Sequence, residues 1–170
     1  RAADYTMDQW QLPDSGPWEL PEERHYVSSK VMSWVALDRA ISIAERTGAT
    51  ARVNDWRCAK DAIHADVLDK GWNTARQAFT ECYEGDTLDA SALLIPLMGF
   101  LPIDHPQVSA TVTRIQEELT VDGFVYRSRD RMDGPVEERE GAFLPCSCWL
   151  AMVLAMSYRL EEAQAILDHV

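Results

Sequence analysis

The chain has 170 residues, enough for one domain with a buried core, and its 28 acidic and 16 basic residues give a net charge of −12. That balance argues against a nucleic-acid partner, whose phosphates it would repel, and leaves a neutral substrate open. No basic segment followed by an apolar core marks a secretory signal, and an opening on Arg1 rather than Met predicts that a longer protein precedes it.

Residues 1–27 read as irregular, because Pro13, Gly16, Pro17 and Pro21 break any periodic pattern. Trp10 and Trp18 lie inside this stretch. A long loop that carries two tryptophans reads as a functional, active-site loop rather than a disordered one. A helix follows from about Ser28 to Thr47, stopped by Gly48. Val31, Met32, Trp34, Val35, Leu37, Ile41 and Ile43 give it a wide apolar face. Asn54 or Asp55 caps a second helix that reaches about Lys70. Its apolar stripe is narrow, Trp56, Ala59, Ile63 and Val67, so it lies at the surface.

The stretch from Trp72 to Tyr83 is short and extended. A third helix is predicted from about Thr87 to Met98, apolar on most sides, with Pro96 ending or kinking it. A fourth begins at Asp104 or His105 with Pro106 in its first turn. Val108, Val112, Ile115 and Leu119 mark it as an amphipathic outer helix. Gly123 to Arg127 reads as a short strand and Ser128 to Arg139 as a charged loop. A sixth helix covers about Leu160 to Asp168.

Between the charged loop and the sixth helix, Gly141 to Tyr158 contains no charged residue. The run is barely long enough to span a bilayer. Pro145, Cys146, Ser147, Cys148 and Ser157 suit a central helix of a water-soluble protein, apolar all round and buried on every side. Buried and amphipathic helices thus alternate, the buried ones opening near positions 28, 88 and 142. This is an internal repeat of helical hairpins. Pairs of inner and outer helices build either a solenoid or a closed α/α ring, and inner helices this apolar favour the ring. The fold class is therefore all-α, about half of an (α/α)6 toroid, read as one partial domain over residues 1–170 with three hairpins after residue 27.

Cys58, Cys82, Cys146 and Cys148 form no CxxC pair and read as reduced core thiols of a cytoplasmic protein. His25, His64, His105 and His169 are scattered, and none has a metal-ligand partner at helical spacing. No metal and no cofactor is called for. Two carboxylates stand apart. Glu19 follows Trp18 in a proline-flanked segment, and Glu140 leads into the uncharged helix. In a ring, both would face one funnel. Glycoside hydrolysis needs such a pair, one protonated acid and one ionised base. An indole beside Glu19 would desolvate it, favour its protonated form and stack on a sugar face. Spacing alone favours two solvated loop glutamates, and the acid–base pairing stays the sharper alternative.

Asp14-Ser15-Gly16-Pro17-Trp18-Glu19, Arg24-His25-Tyr26 and the run from Ser29 to Arg39, SKVMSWVALDR, resemble the bacterial branch of glycoside hydrolase family 15. So do Leu88-Asp89-Ala90-Ser91, the run from Pro96 to Pro102, and Glu140-Gly141-Ala142-Phe143-Leu144-Pro145. That branch holds glucoamylase-like enzymes and some trehalases. The motifs occur in order over nearly the whole chain. The resemblance implies an (α/α)6 toroid that hydrolyses terminal α-glucosides with inversion, releasing glucose. It assigns Glu19 as general acid and Glu140 as general base. Ser15, Gly16 and Pro17 stand where the family has an acidic residue and Gly-Ile, and Pro145 replaces an unconstrained apolar residue. Both carboxylates are retained. The chain corresponds to the C-terminal part of the family's catalytic domain and stops before the last hairpin.

Trp18, Arg24 and Lys30 are the candidate substrate-binding residues, Arg24 and Lys30 as donors to sugar hydroxyls or, alternatively, as solvated cations. His25 reads as a loop brace. Asp89 opens a buried helix, where capping explains it better than sugar contact. The expected partner is a small carbohydrate, with neither nucleic acid nor membrane. The competing reading is a non-catalytic helical module. Half a ring leaves apolar inner helices uncovered, to be met by a second copy of the chain or by the missing half of the same one. The choice among starch-like chains, isomaltose-type linkages and trehalose stays open.

Overall fold

In the computed structural model, which describes residues 1–129 and 141–170, three successive helical hairpins lie side by side. The inner helices are α2 (Val27–Thr47), α4 (Leu94–Leu97, preceded by a 3-10 turn over Ala90–Leu93) and α6 (Leu144–Met156). The outer helices are α3 (Val53–Lys70), α5 (Pro106–Leu119) and α7 (Leu160–Leu167). A further helix, α1 (Ala2–Gln9), packs on both α2 and α3. α2 packs on α4 and α4 on α6, so the inner helices form a continuous series.

Local chemistry sets most of the boundaries. α2 stops because Gly48 takes a left-handed φ of 64° and returns its N–H to Ala44 O, with Arg46 near the negative end of the helix dipole. α5 starts where His105 Nδ1 accepts the Gln107 N–H and Pro106 occupies a position that needs no donor. Its buried face is Val108, Thr111, Val112, Ile115 and Leu119. Two short antiparallel hairpins join the helices. β1 (Trp72–Asn73) pairs with β2 (Ala78–Phe79), and β3 (Thr120–Val121) pairs with β4 (Phe124–Val125). Asp122 and Gly123 both have positive φ, 50° and 83°, as an Asp-Gly hairpin turn requires.

Side-chain hydroxyls weld these hairpins to the helices. Thr111 Oγ1 accepts the Phe79 N–H at 3.0 Å, and Ser147 Oγ accepts the Val125 N–H at 2.9 Å. An orphaned buried N–H is expensive, so each hydroxyl fixes the register of a strand against a helix.

Several expectations need correction. Residues 1–27 are not wholly irregular: α1 lies within them, with Ala3 buried, Met7 and Trp10 packed on the core and Asp4 accepting the Trp56 indole N–H at 3.0 Å. The third predicted helix shrinks to the 3-10 turn and α4. Thr87 and Asp89 are spent on extended pairing, Thr87 O accepting from Glu81 N–H and Asp89 bridging to Ser128. Pro96 does not end α4. It sits in the first turn, where no N–H is needed, and Gly99 with φ 77° follows the helix as the stop.

α6 is apolar all round yet not buried on every side. Cys146, Ser147, Leu150, Val153 and Leu154 are buried, whereas Met152 is 53% and Met156 44% exposed. Nor are all four cysteines core thiols. Cys82 and Cys146 are buried, and burial pushes their pKa values up to about 11 and about 12, but Cys58 is exposed. No helix among the described residues is long and apolar enough to cross a membrane.

Candidate active site

Between α1 and α2 the chain makes a closed loop around Trp18. Asp14 and Arg24 form an antiparallel bridge across its base, each N–H giving 2.9 Å to the other's carbonyl. Asp14 Oδ1 accepts the Gly16 N–H and the Ser29 hydroxyl, both at 2.7 Å. Leu20 N–H closes the tip on Ser15 O at 2.8 Å. Gly16 has φ 67°, and a Cβ there would lie 2.9 Å from the Tyr26 ring. Only glycine fits both constraints.

Lys30 braces this loop from beneath. Its ammonium donates to Trp10 O at 2.7 Å and Leu12 O at 2.5 Å and sits 3.8 Å from Asp14 Oδ2. The side chain is 2% exposed. Burial pushes its pKa down, and the Asp14 charge opposes that shift. The sequence proposed Lys30 as a sugar donor or a solvated cation. It is not a solvated cation: two of its donors go to backbone carbonyls of its own chain, and the Asp14 carboxylate beside them supplies the opposite charge.

Arg24, the other proposed sugar donor, pairs with Glu22 at 2.6 Å and is half exposed. Arg24 and Lys30 line a cavity of about 640 Å³ together with Trp10, His25, Lys70 and Tyr83. His25 stacks on Tyr83 there, with ring centroids 5.8 Å apart. Trp18 and Glu19 are not part of that lining.

Trp18 faces the other way, toward the start of α6. Its ring stacks on Trp149 at 6.4 Å and meets Phe143 edge-on at 5.7 Å. The Arg127 guanidinium lies 5.1 Å from the Trp18 centroid and 5.8 Å from that of Phe143, within cation–π range of both. The indole N–H donates to Asp89 Oδ2 at 2.7 Å. Asp89 is 2% exposed. Burial pushes its pKa up, against the hydrogen bonds from Ser91 and Trp18 and the Arg127 charge.

Glu19 is exposed, and its backbone sits at φ 52° with its N–H on Gly16 O at 3.3 Å. A non-glycine residue at such a φ costs of order 1 kcal/mol and persists because its surroundings hold it. The sequence expected the Trp18 indole to desolvate this carboxyl. In the structure the indole packs on Phe143 and Trp149 and leaves the Glu19 side chain at the surface. Glu140 lies outside the described residues, as does most of the charged loop before it. In sequence it stands three residues before Phe143, the residue against which Trp18 packs.

Of the proposed site residues, Trp18 therefore packs on the start of α6, Arg24 and Lys30 line the cavity together, and Glu19 is exposed beside Trp18 in sequence. Sequence reasoning did not find Asp89 as a partner of Trp18, nor Arg127, Phe143 and Trp149 as its neighbours. Phe143 and Trp149 were visible as two of the three aromatic residues of the uncharged run. Nothing local to Arg127 or Asp89 marked either as part of this cluster. Among the described residues no group of three or more His, Cys, Asp or Glu side chains could hold a metal ion.

The helical-hairpin array is the fold of known glycosidases, and the model for glycosyl hydrolases family 15 matches residues 1–168. The chain belongs to that family. It is 44% identical over 170 residues to a trehalase of Mycobacterium tuberculosis, covering 99% of this chain and 25% of that protein. It is 38% identical over 162 residues to a trehalase of Thermoplasma volcanium, covering 95% of this chain and 26% of that protein. The chain thus spans about a quarter of the length of these curated relatives. Among solved structures, a wild-type glycosidase superposes with a TM-score of 0.86 at 21% identity, over 99% of this chain and 44% of that one. A glycosidase in complex with glucose gives a TM-score of 0.85 at 22% identity, with the same coverage. The fold is the expected one: all-α hairpins forming about half of an (α/α)6 toroid.

Proposed function

We propose that the protein carrying this chain hydrolyses α,α-trehalose with inversion, and that Glu19 and Glu140 are its general acid and general base. Glu19 gives its proton to the glycosidic oxygen as the C1–O bond breaks. Glu140 takes a proton from water as that water attacks C1 from the opposite face. One sugar leaves as α-glucose and the attacked one as β-glucose. Carboxyl groups that work in this way stand roughly 6.5–9.5 Å apart, to admit the water.

The observation that carries this reading is the contact between Trp18 and Phe143. It joins the Trp-Glu turn to the start of the helix that Glu140 precedes in sequence, so two segments far apart along the chain share one end of the ring. The exposure of Glu19 suits a proton donor that must meet a substrate oxygen. Trehalose is favoured over starch-like chains and isomaltose-type linkages because the curated relatives quoted above are trehalases.

The test uses the full-length protein with trehalose, maltose and isomaltose as substrates, read by proton NMR during the first turnovers. Equal α- and β-glucose from trehalose, with slower release from the other two, is the expected result. Glu19→Gln and Glu140→Gln are each expected to lower kcat by about 10²–10⁴-fold while the protein stays folded. Wild-type turnover in either variant would remove that residue from the mechanism.

A further inference from the structure

Asp89 uses its two oxygens differently. Oδ1 accepts the Ser91 N–H at 2.8 Å and also the Ser91 hydroxyl, an ordinary cap for the 3-10 turn. Oδ2 accepts the Trp18 indole N–H at 2.7 Å, from a residue 71 positions away. Capping does not require that second contact. A fully buried carboxylate is also a costly acceptor for a neutral N–H, since burial disfavours its charge.

The contact fixes a half-buried aromatic ring that already has three other neighbours. Trp149 stacks beside it at 6.4 Å, Phe143 meets the ring edge-on at 5.7 Å and the Arg127 guanidinium sits 5.1 Å from its centroid. The residue after this ring is Glu19, held at φ 52° in a turn closed by the Leu20 N–H on Ser15 O. An indole held by Asp89, Trp149, Phe143 and Arg127 limits the freedom of the next peptide, which ties the approach of Glu19 to the seat of the ring.

We propose that Asp89 is a positioning residue for the reaction: by holding the Trp18 indole N–H it sets the direction from which the Glu19 carboxyl reaches the glycosidic oxygen. The proposal rests on the reading of Glu19 as general acid.

Asp89→Asn in the full-length protein separates the two tasks of the side chain. Asparagine caps as well as aspartate does, so its amide oxygen stays on Ser91 and its NH2 meets the indole donor to donor. With trehalose as substrate, kcat per folded molecule is expected to fall about 10- to 100-fold, with a smaller change in KM. The alkaline limb of the kcat/KM profile, which reports the general acid, is expected to move, and a merely structural loss would leave it in place.

Trp18→Phe removes the donor and keeps a ring. Combining it with Asp89→Asn should cost no more than Trp18→Phe alone, because both act through one contact. Losses that multiply would overturn the proposal. So would undiminished kcat in Asp89→Asn beside abolition in Glu19→Gln, and the function would then stand without it. Wild-type turnover in Glu19→Gln would overturn both. If Asp89→Asn does not fold, Trp18→Phe alone carries the test, and wild-type kcat with an unmoved alkaline limb would refute the positioning role.

Discussion

Lys30 and Asp89 are both 2% exposed and both hold the Trp18 loop, yet they are used in opposite ways. Lys30 donates to Trp10 O and Leu12 O and faces the Asp14 carboxylate at 3.8 Å, all at the base of the loop. It fixes where the chain runs. Asp89 reaches the tip, where its Oδ2 takes one indole N–H. It fixes which way a side chain faces. A buried cation bound mainly to backbone is a structural device. A buried anion that divides itself between a cap and a distant indole has a cost that capping alone does not explain.

The largest expected effect falls on Lys30. Lys30→Met keeps an unbranched apolar stem and removes the ammonium from the Trp10 and Leu12 carbonyls, which it meets at 2.7 and 2.5 Å. Hydrogen bonds to a charged group contribute about 1.5–3 kcal/mol each, so losing two of them costs about 3 kcal/mol. Urea unfolding of the full-length protein should register a loss of that size, with kcat per folded molecule altered far less than in Asp89→Asn. Equal losses of kcat in the two variants would erase the contrast between base and tip.

Gly16 sharpens the same contrast from inside the loop. Its φ of 67° and the 2.9 Å approach that a Cβ would make to the Tyr26 ring oppose any side chain. Gly16→Ala is expected to destabilise by about 2 kcal/mol. Its effect should be seen as lower thermal stability together with lower kcat, because Gly16 O also accepts the Glu19 N–H. A stable variant with unchanged kcat would mean that the tip does not depend on the path of the base.

How much of this was legible in the sequence follows from the range of each interaction. α2, α3, α5 and α7 were readable because periodic apolar faces, Gly48 and Pro106 act locally. The uncharged run was readable as an inner helix, but its exposed face at Met152 and Met156 was not, since burial depends on neighbours that the local pattern does not report. α1 was missed because four prolines and glycines drew attention, although Ala3, Met7 and Trp10 already recur at helical spacing. In the site, Trp18 and Glu19 were readable as a motif. The Trp18–Asp89 hydrogen bond spans 71 positions, and a capping aspartate looks the same in sequence with or without it. The bracing contacts of Lys30 were hidden for a similar reason: a lysine in a first turn gives no sign that carbonyls eighteen and twenty residues earlier will close over it.

The smallest predicted effect concerns the sign of a pH dependence. Burial raises the pKa of Asp89 above its ordinary value of 3.8. Between that value and the raised one, the folded protein keeps a proton that the unfolded chain has released. Stability due to this group must then fall as pH rises through that window and level off above it. The amide that Asp89→Asn introduces does not titrate. The stability of wild type minus that of the variant, measured by urea unfolding at several pH values from about 4 upward, should therefore decrease with pH. The donor-to-donor contact of the variant adds a constant offset and leaves the slope untouched. A difference that instead grows with pH would mean that Ser91, Trp18 and Arg127 stabilise the carboxylate by more than burial costs it. Asp89 would then be a favourable anion site rather than a strained one, and its buried charge would need no functional explanation.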